Sequence, residues 1–84
     1  MTLRIEVVQG RIRLSGELRF GQLDQVRAEI KRCESPVVLD LEELDLVDVE
    51  AVRFLNACES AGVSILRCAP YIREWMLQEK GQAE

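Results

Sequence analysis

The chain contains no histidine, and this absence excludes several classes of chemistry. Without an imidazole, neither a histidine-ligated zinc site nor a nucleophile activated by a histidine base can form. No apolar run approaches the roughly 20 residues that a membrane-spanning helix needs, so no membrane insertion is expected. The first residues alternate in polarity and lack the apolar segment of a signal peptide. We therefore expect a cytoplasmic location.

Cysteine is scarce, and its three residues show no CxxC spacing. An odd number of cysteines without a signal peptide indicates free thiols in a reducing compartment. Cys58 and Cys68 lie among apolar residues, which is typical of small buried side chains. Cys33 follows Lys31 and Arg32 and is the thiol whose reactivity we would test.

Positive charge is missing from residues 33–52, where every charged side chain is acidic. The chain as a whole has a formal net charge of −4, which disfavours nucleic acid and anionic membranes as partners. This acidic segment is either a solvated rim or a surface that faces a protein partner. Its members are Glu34, Asp40, Glu42, Glu43, Asp45, Asp48 and Glu50.

Linkers, repeats and low-complexity tracts are also absent, so residues 1–84 are expected to form a single domain. Polarity alternates over residues 3–7 and 11–15, and Gln9-Gly10 separates the two runs. This pattern predicts an antiparallel hairpin whose second strand ends at Gly16. The face of the sheet left open by the helices is expected to carry Arg4, Glu6, Arg11 and Arg13.

The hydrophobic period then changes to that of a helix, predicted from about Gln22 to Cys33. A short strand over 37–39 follows, and then a helix over 48–60 that begins at the N-cap residue Asp48. Gly62 has the position of a left-handed cap at the end of this helix.

A strand over 63–66 and a last helix over about 71–80 complete the order β-β-α-β-α-β-α. Residues 81–84 are expected to fray. Strand–helix–strand units require parallel pairing with right-handed crossovers. The predicted fold is therefore an α/β domain with a mixed four-stranded sheet and three helices mainly on one face.

Three motifs occur along this order: Gly16-Glu17-Leu18, the strand Val37–Leu41 and the helix segment Ala51–Leu55. Together they are similar to motifs of the STAS domain, the family of bacterial anti-sigma-factor antagonists. The resemblance covers nearly the whole chain and implies the same element order. In the family, the helix start reads Asp-Ser-Ser/Thr-Gly, and its first Ser or Thr is phosphorylated by a partner kinase. Here the same positions read Asp48-Val49-Glu50-Ala51, so the phosphoacceptor position holds Val49.

The resemblance implies a non-catalytic interaction module whose partner is an anti-sigma factor or a related regulatory kinase. Its contact surface would be the acidic loop 42–50 together with the helix 48–60, and no cofactor or metal is implied. The candidate partner-binding residues are Asp45, Asp48, Val49, Glu50 and Arg53. Because Val49 has no hydroxyl, we expect no phosphorylation in this segment.

Several alternatives stay open at this point. Asp48 and Glu50 are either a docking surface or simply a helix cap and a first-turn acid that interacts favourably with the helix dipole. The chain could instead be a small accessory subunit, for example of a lipid-transport ATPase complex. It could also bind a small ligand or nucleotide on the open face through Arg11 and Arg13. A free strand edge also allows a homodimer. Catalysis by paired carboxylates is not expected, because the sequence indicates no substrate cleft.

Overall fold

The computed structural model describes residues 3–33 and 36–82. Within these residues the element order is that predicted from the sequence. The strands are β1 (Arg4–Val8), β2 (Arg11–Leu18), β3 (Val38–Val47) and β4 (Ser64–Leu66). The helices are α1 (Leu23–Arg32), α2 (Val49–Ser60) and α3 (Pro70–Gln82), and a short 3₁₀ turn, Phe20–Gln22, precedes α1.

The four strands form one mixed sheet in the order β1-β2-β3-β4. β1 and β2 are antiparallel, while β2 with β3 and β3 with β4 are parallel. Gln9 and Gly10 have φ angles of 51° and 83°, the two successive positive values of a tight hairpin turn. The α/β fold with helices mainly on one face is thus confirmed.

The second strand does not end at Gly16 as predicted but continues to Leu18. Gly16 lies inside the strand with a φ of 93°, next to a shift in the register between β2 and β3. A second shift lies between Arg13 and Ser15. The extra residue at each shift lies on β3, so Gly16 lies on the strand opposite a bulge. Glycine adopts the positive φ of this position without steric cost, and here it does not mark a strand end.

The predicted acidic loop 42–50 is also wrong, because residues 42–47 continue β3, which is ten residues long. Only Asp48 separates this strand from α2. Leu41, Leu44 and Val47 are buried at a spacing of three because the two bulges interrupt the normal alternation. The acidic residues between them are exposed, and this run of exposed carboxylates is why the sequence pattern predicts a loop.

The hydrophobic core lies between the sheet and the helices. α3 packs against α2, where the side-chain amide of Asn56 donates to the carbonyl of Met76 at 2.9 Å. Trp75 is partly buried and packs against the same core. The fully buried apolar side chains are Ile12, Leu14, Leu18, Val26, Leu39, Leu41, Ala51, Val52, Leu55, Ile72 and Met76.

The last helix extends two residues beyond its predicted end at Lys80, to Gln82. Of the predicted frayed tail, Ala83 and Glu84 lie outside the described residues. None of the helices in residues 3–33 and 36–82 is both long and apolar enough to cross a membrane.

Candidate partner-binding surface

Asp48 connects the start of α2 to the preceding part of the chain. Its Oδ1 accepts a hydrogen bond from the N–H of Ala51 at 2.9 Å, which caps the helix as predicted. Its Oδ2 accepts a second bond from the N–H of Phe20 at 3.0 Å. The N–H of Asp48 itself donates to the carbonyl of Leu18 at 3.3 Å. One carboxylate therefore holds both the helix start and the turn after β2.

Phe20 is a residue that the sequence reasoning missed. Its backbone is fixed by Asp48, but its side chain is 69% exposed. Two hydrogen bonds between Arg19 and Gln22 close the surrounding turn. The backbone N–H of Arg19 donates to Oε1 of Gln22 at 3.0 Å, and the backbone N–H of Gln22 donates to the carbonyl of Arg19 at 2.9 Å. The available signal was an aromatic residue in a turn, between a strand and a helix, outside either hydrophobic period.

The predicted residues on α2 lie around its first turn. Glu50 and Arg53 are exposed, and Val49 is half-buried. The guanidinium of Arg53 lies 3.7 Å from a carboxylate oxygen of Glu50 and 3.0 Å from one of Glu79 on α3. α3 thus contacts Arg53 on one side, while Glu50 stays accessible to solvent.

Asp45 lies on β3, apart from this first turn. Its side chain is exposed, and its main-chain carbonyl accepts a hydrogen bond from the hydroxyl of Tyr71. Burial and the nearby Asp45 and Cys68 raise the pKa of Tyr71, so this phenol stays protonated and able to donate. The bond fixes the start of α3 to the end of the sheet and leaves the Asp45 carboxylate directed to solvent.

A second cluster of charges lies on the face of the sheet away from the helices, around the fully buried Asp40. Asp40 accepts hydrogen bonds from Arg67 and, at 3.1 Å, from the N–H of Glu42; the guanidinium of Arg13 lies 3.8 Å away. Burial raises the pKa of Asp40, but these bonds and charges outweigh it and hold the pKa below its usual value. The only sequence signal was a carboxylate inside an apolar strand.

A cleft of about 500 Å³ lies on the same face and is lined by Glu6, Val8, Gln9, Arg11 and Arg13. The direct register of Glu6 with Arg13 and of Val8 with Arg11 places these side chains together, as the alternation predicted. In the described part of the chain, no group of three or more acidic or thiol side chains is arranged to hold a metal ion.

The thiols are all free. Cys58 is buried, and burial raises its pKa to about 11 against the smaller opposing effect of Arg27. Burial also raises the pKa of Cys68. Because the thiolate is the reactive form, both of these thiols are poor nucleophiles. Cys33 is only half-buried.

A scan against protein-family models found no family that matches the chain, and a search of curated proteins found no relative.

Proposed function

We propose that this chain is a non-catalytic protein–protein interaction module that acts like an anti-sigma-factor antagonist. Its partner would be an anti-sigma factor or a related regulatory kinase. The proposed docking surface consists of Phe20, Asp45, Asp48, Val49, Glu50 and Arg53. The observation that carries the proposal is the first turn of α2, which Asp48 holds in place and which solvent can reach.

Preorganisation favours binding at this surface, because a partner would not have to order the turn and the helix start. Exposed aromatic residues are frequent anchors in protein interfaces, and Phe20 lies directly beside the helix start through its bond to Asp48. The carboxylates of Asp45 and Glu50 favour a partner whose surface is basic and has an apolar pocket for the ring.

Binding would not depend on phosphorylation. No serine, threonine or tyrosine occurs from Pro36 to Glu59, so the whole of β3 and most of α2 lack an acceptor hydroxyl. Glu50 places a permanent negative charge in the first turn, where the helix dipole favours it. A carboxylate supplies one charge where a phosphate supplies nearly two. Incubation with ATP and the partner kinase should leave residues 45–52 unmodified by mass spectrometry, and phosphate there would contradict the proposal.

The binding test uses purified anti-sigma factors and regulatory kinases of the source organism, titrated with the chain by calorimetry. Glu50→Lys and Phe20→Ala should each weaken binding about tenfold or more, as expected for the centre of an interface. Glu74→Lys is the matched control, because Glu74 is an exposed acid on α3 outside the docking surface. Failure of every such protein to bind, or equal losses for all three variants, would contradict the proposal. Stable co-purification with a transport ATPase would instead support an accessory subunit.

A second candidate function is supported by the cleft on the open face. Its lining has two arginines and one glutamate, so it favours a small anion such as a nucleotide. In a thermal-shift assay, nucleotides should raise the melting temperature of the wild type and not that of Arg11→Gln. Absence of any shift at millimolar nucleotide would exclude this candidate.

A further inference from the structure

β1 forms one edge of the sheet and is paired on one side only, with β2. Its pairing is continuous from Arg4 opposite Ser15 to Val8 opposite Arg11, without a bulge. The backbone N–H and C=O groups on its other side are therefore available for another strand. β4 forms the opposite edge but has only three residues, Ser64–Leu66, which is short for a template.

Most of the features that protect edge strands are missing from β1. It contains no proline, glycine or lysine, and it exposes two valines, Val7 at 44% and Val8 at 65%. Ile5 and Val7 share the core-facing side of the sheet because they lie opposite the buried Leu14 and Ile12. A second strand paired with this edge would cover the apolar side chains of Ile5 and Val7, which the single chain leaves partly exposed to solvent.

The charges on β1 are complementary to those of a second, antiparallel copy of the same strand, which makes that copy the best partner for this edge. Around a two-fold axis, two antiparallel copies pair so that each contact occurs twice. Only alternate residues direct their backbone groups outwards, so the axis must pass through a residue and not between two residues. Opposite charges facing each other across strands are favourable, and like charges are not.

If the two-fold axis passes through Arg4 or through Glu6, that residue lies opposite its own copy, and two like charges face each other. A centre at Val7 places Glu6 opposite Val8. A centre at Val7 or at Val8 leaves Arg4 without a charged partner on the second copy, so that its only partner is Glu6 of its own strand, at 3.3 Å. A centre at Ile5 places Arg4 opposite Glu6 twice on the open face, and Leu3 opposite Val7 twice on the core side. We therefore propose that β1 pairs with β1 of a second copy, antiparallel and centred on Ile5, joining the two sheets into one.

This dimer is independent of the docking surface proposed above. β2 lies between β1 and β3, and α2 begins after the end of β3. Joining two copies at β1 would therefore leave the first turn of α2 accessible in each.

The test is a charge exchange followed by sedimentation equilibrium. Wild type should show a reversible monomer–dimer equilibrium. Arg4→Glu and Glu6→Arg should each raise the dissociation constant about tenfold, because each replaces two opposite-charge contacts by two like-charge contacts. An equimolar mixture of the two variants should form a heterodimer, and the double variant Arg4→Glu/Glu6→Arg should regain the affinity of the wild type.

The exposed fraction of the side chain is 76% for Arg4 and 44% for Glu6, so we expect the fold to tolerate the exchanges, and circular dichroism checks this. Recovery in the double variant separates lost pairing from lost folding. A wild type that stays monomeric up to millimolar concentration would overturn the proposal. A dimer that Arg4→Glu leaves unchanged, or a variant mixture without heterodimer, would overturn it as well.

Discussion

At the scale of single residues, the two aspartates Asp40 and Asp48 show how different surroundings give the same side chain different roles. Asp40 is buried between two arginines and a backbone N–H, and its charge is used inside the molecule. Asp48 lies at a helix start, where two backbone N–H groups use its two oxygens. Both carboxylates are therefore engaged in contacts within the chain.

Replacing Asp48 by alanine should lower the free energy of unfolding by about 1–2 kcal/mol, because the helix loses its N-cap and the turn at Phe20 loses an acceptor. Urea denaturation followed by circular dichroism measures this loss. Asp45→Ala is the matched control: the Asp45 side chain is exposed and only its main-chain carbonyl is bonded. Equal losses for both variants would contradict the assigned role.

The lowered pKa of Asp40 predicts a dependence of stability on pH. A carboxyl group with a folded pKa below its unfolded value stabilises the fold fully above the unfolded value, here 3.8, and this contribution disappears as pH falls through the folded pKa. At neutral pH, Asp40→Asn should therefore be about 1–3 kcal/mol less stable than the wild type.

The difference between the wild type and Asp40→Asn should shrink below about pH 4. Urea denaturation at a series of pH values measures it, with Asp45→Asn as an exposed control. A difference that stays constant from neutral to acid pH would contradict the role of the Asp40 charge.

At the scale of elements, the strand β3 shows what the sequence pattern can and cannot predict. The sequence pattern predicts the apolar start of the strand, but for the second half it predicts an acidic loop. The bulges change the spacing of the buried residues from two to three, so that Leu41, Leu44 and Val47 match neither a strand nor a loop pattern. Their positions depend on pairing with β2, which no local pattern reports.

Gly16→Ala tests the backbone conformation of β2 opposite the second bulge of β3. The φ of 93° at Gly16 is strained for any residue with a Cβ, so the substitution should cost roughly 1–3 kcal/mol of unfolding free energy. Gly21→Ala is the control, because an added Cβ there would lie in open space, and its effect should be close to zero. Chemical denaturation of both variants makes the comparison; equal stability would contradict the strain at Gly16.

At the scale of the whole molecule, the sequence predicted the element order, the hairpin turn and the cap at Asp48, because each depends on neighbours within a few residues. The contacts of Asp40 with Arg67, and of Phe20 with Asp48, join residues 27 and 28 positions apart. Such contacts depend on how the strand–helix–strand crossovers bring distant residues together, and the hydrophobic periodicity of the sequence does not report this. The position of Phe20 beside Asp48 and the start of α2 could therefore not be inferred before the fold was known.

The two hydrogen bonds that the Asp48 carboxylate accepts also limit which substitutions this position tolerates. Asparagine would present one acceptor and one donor, and serine only a single oxygen, whereas two N–H groups must be satisfied here. A change at this position would loosen the helix start and displace the Phe20 ring together. Under the proposed function, selection for a new partner and selection for a stable fold would therefore act on the same carboxylate.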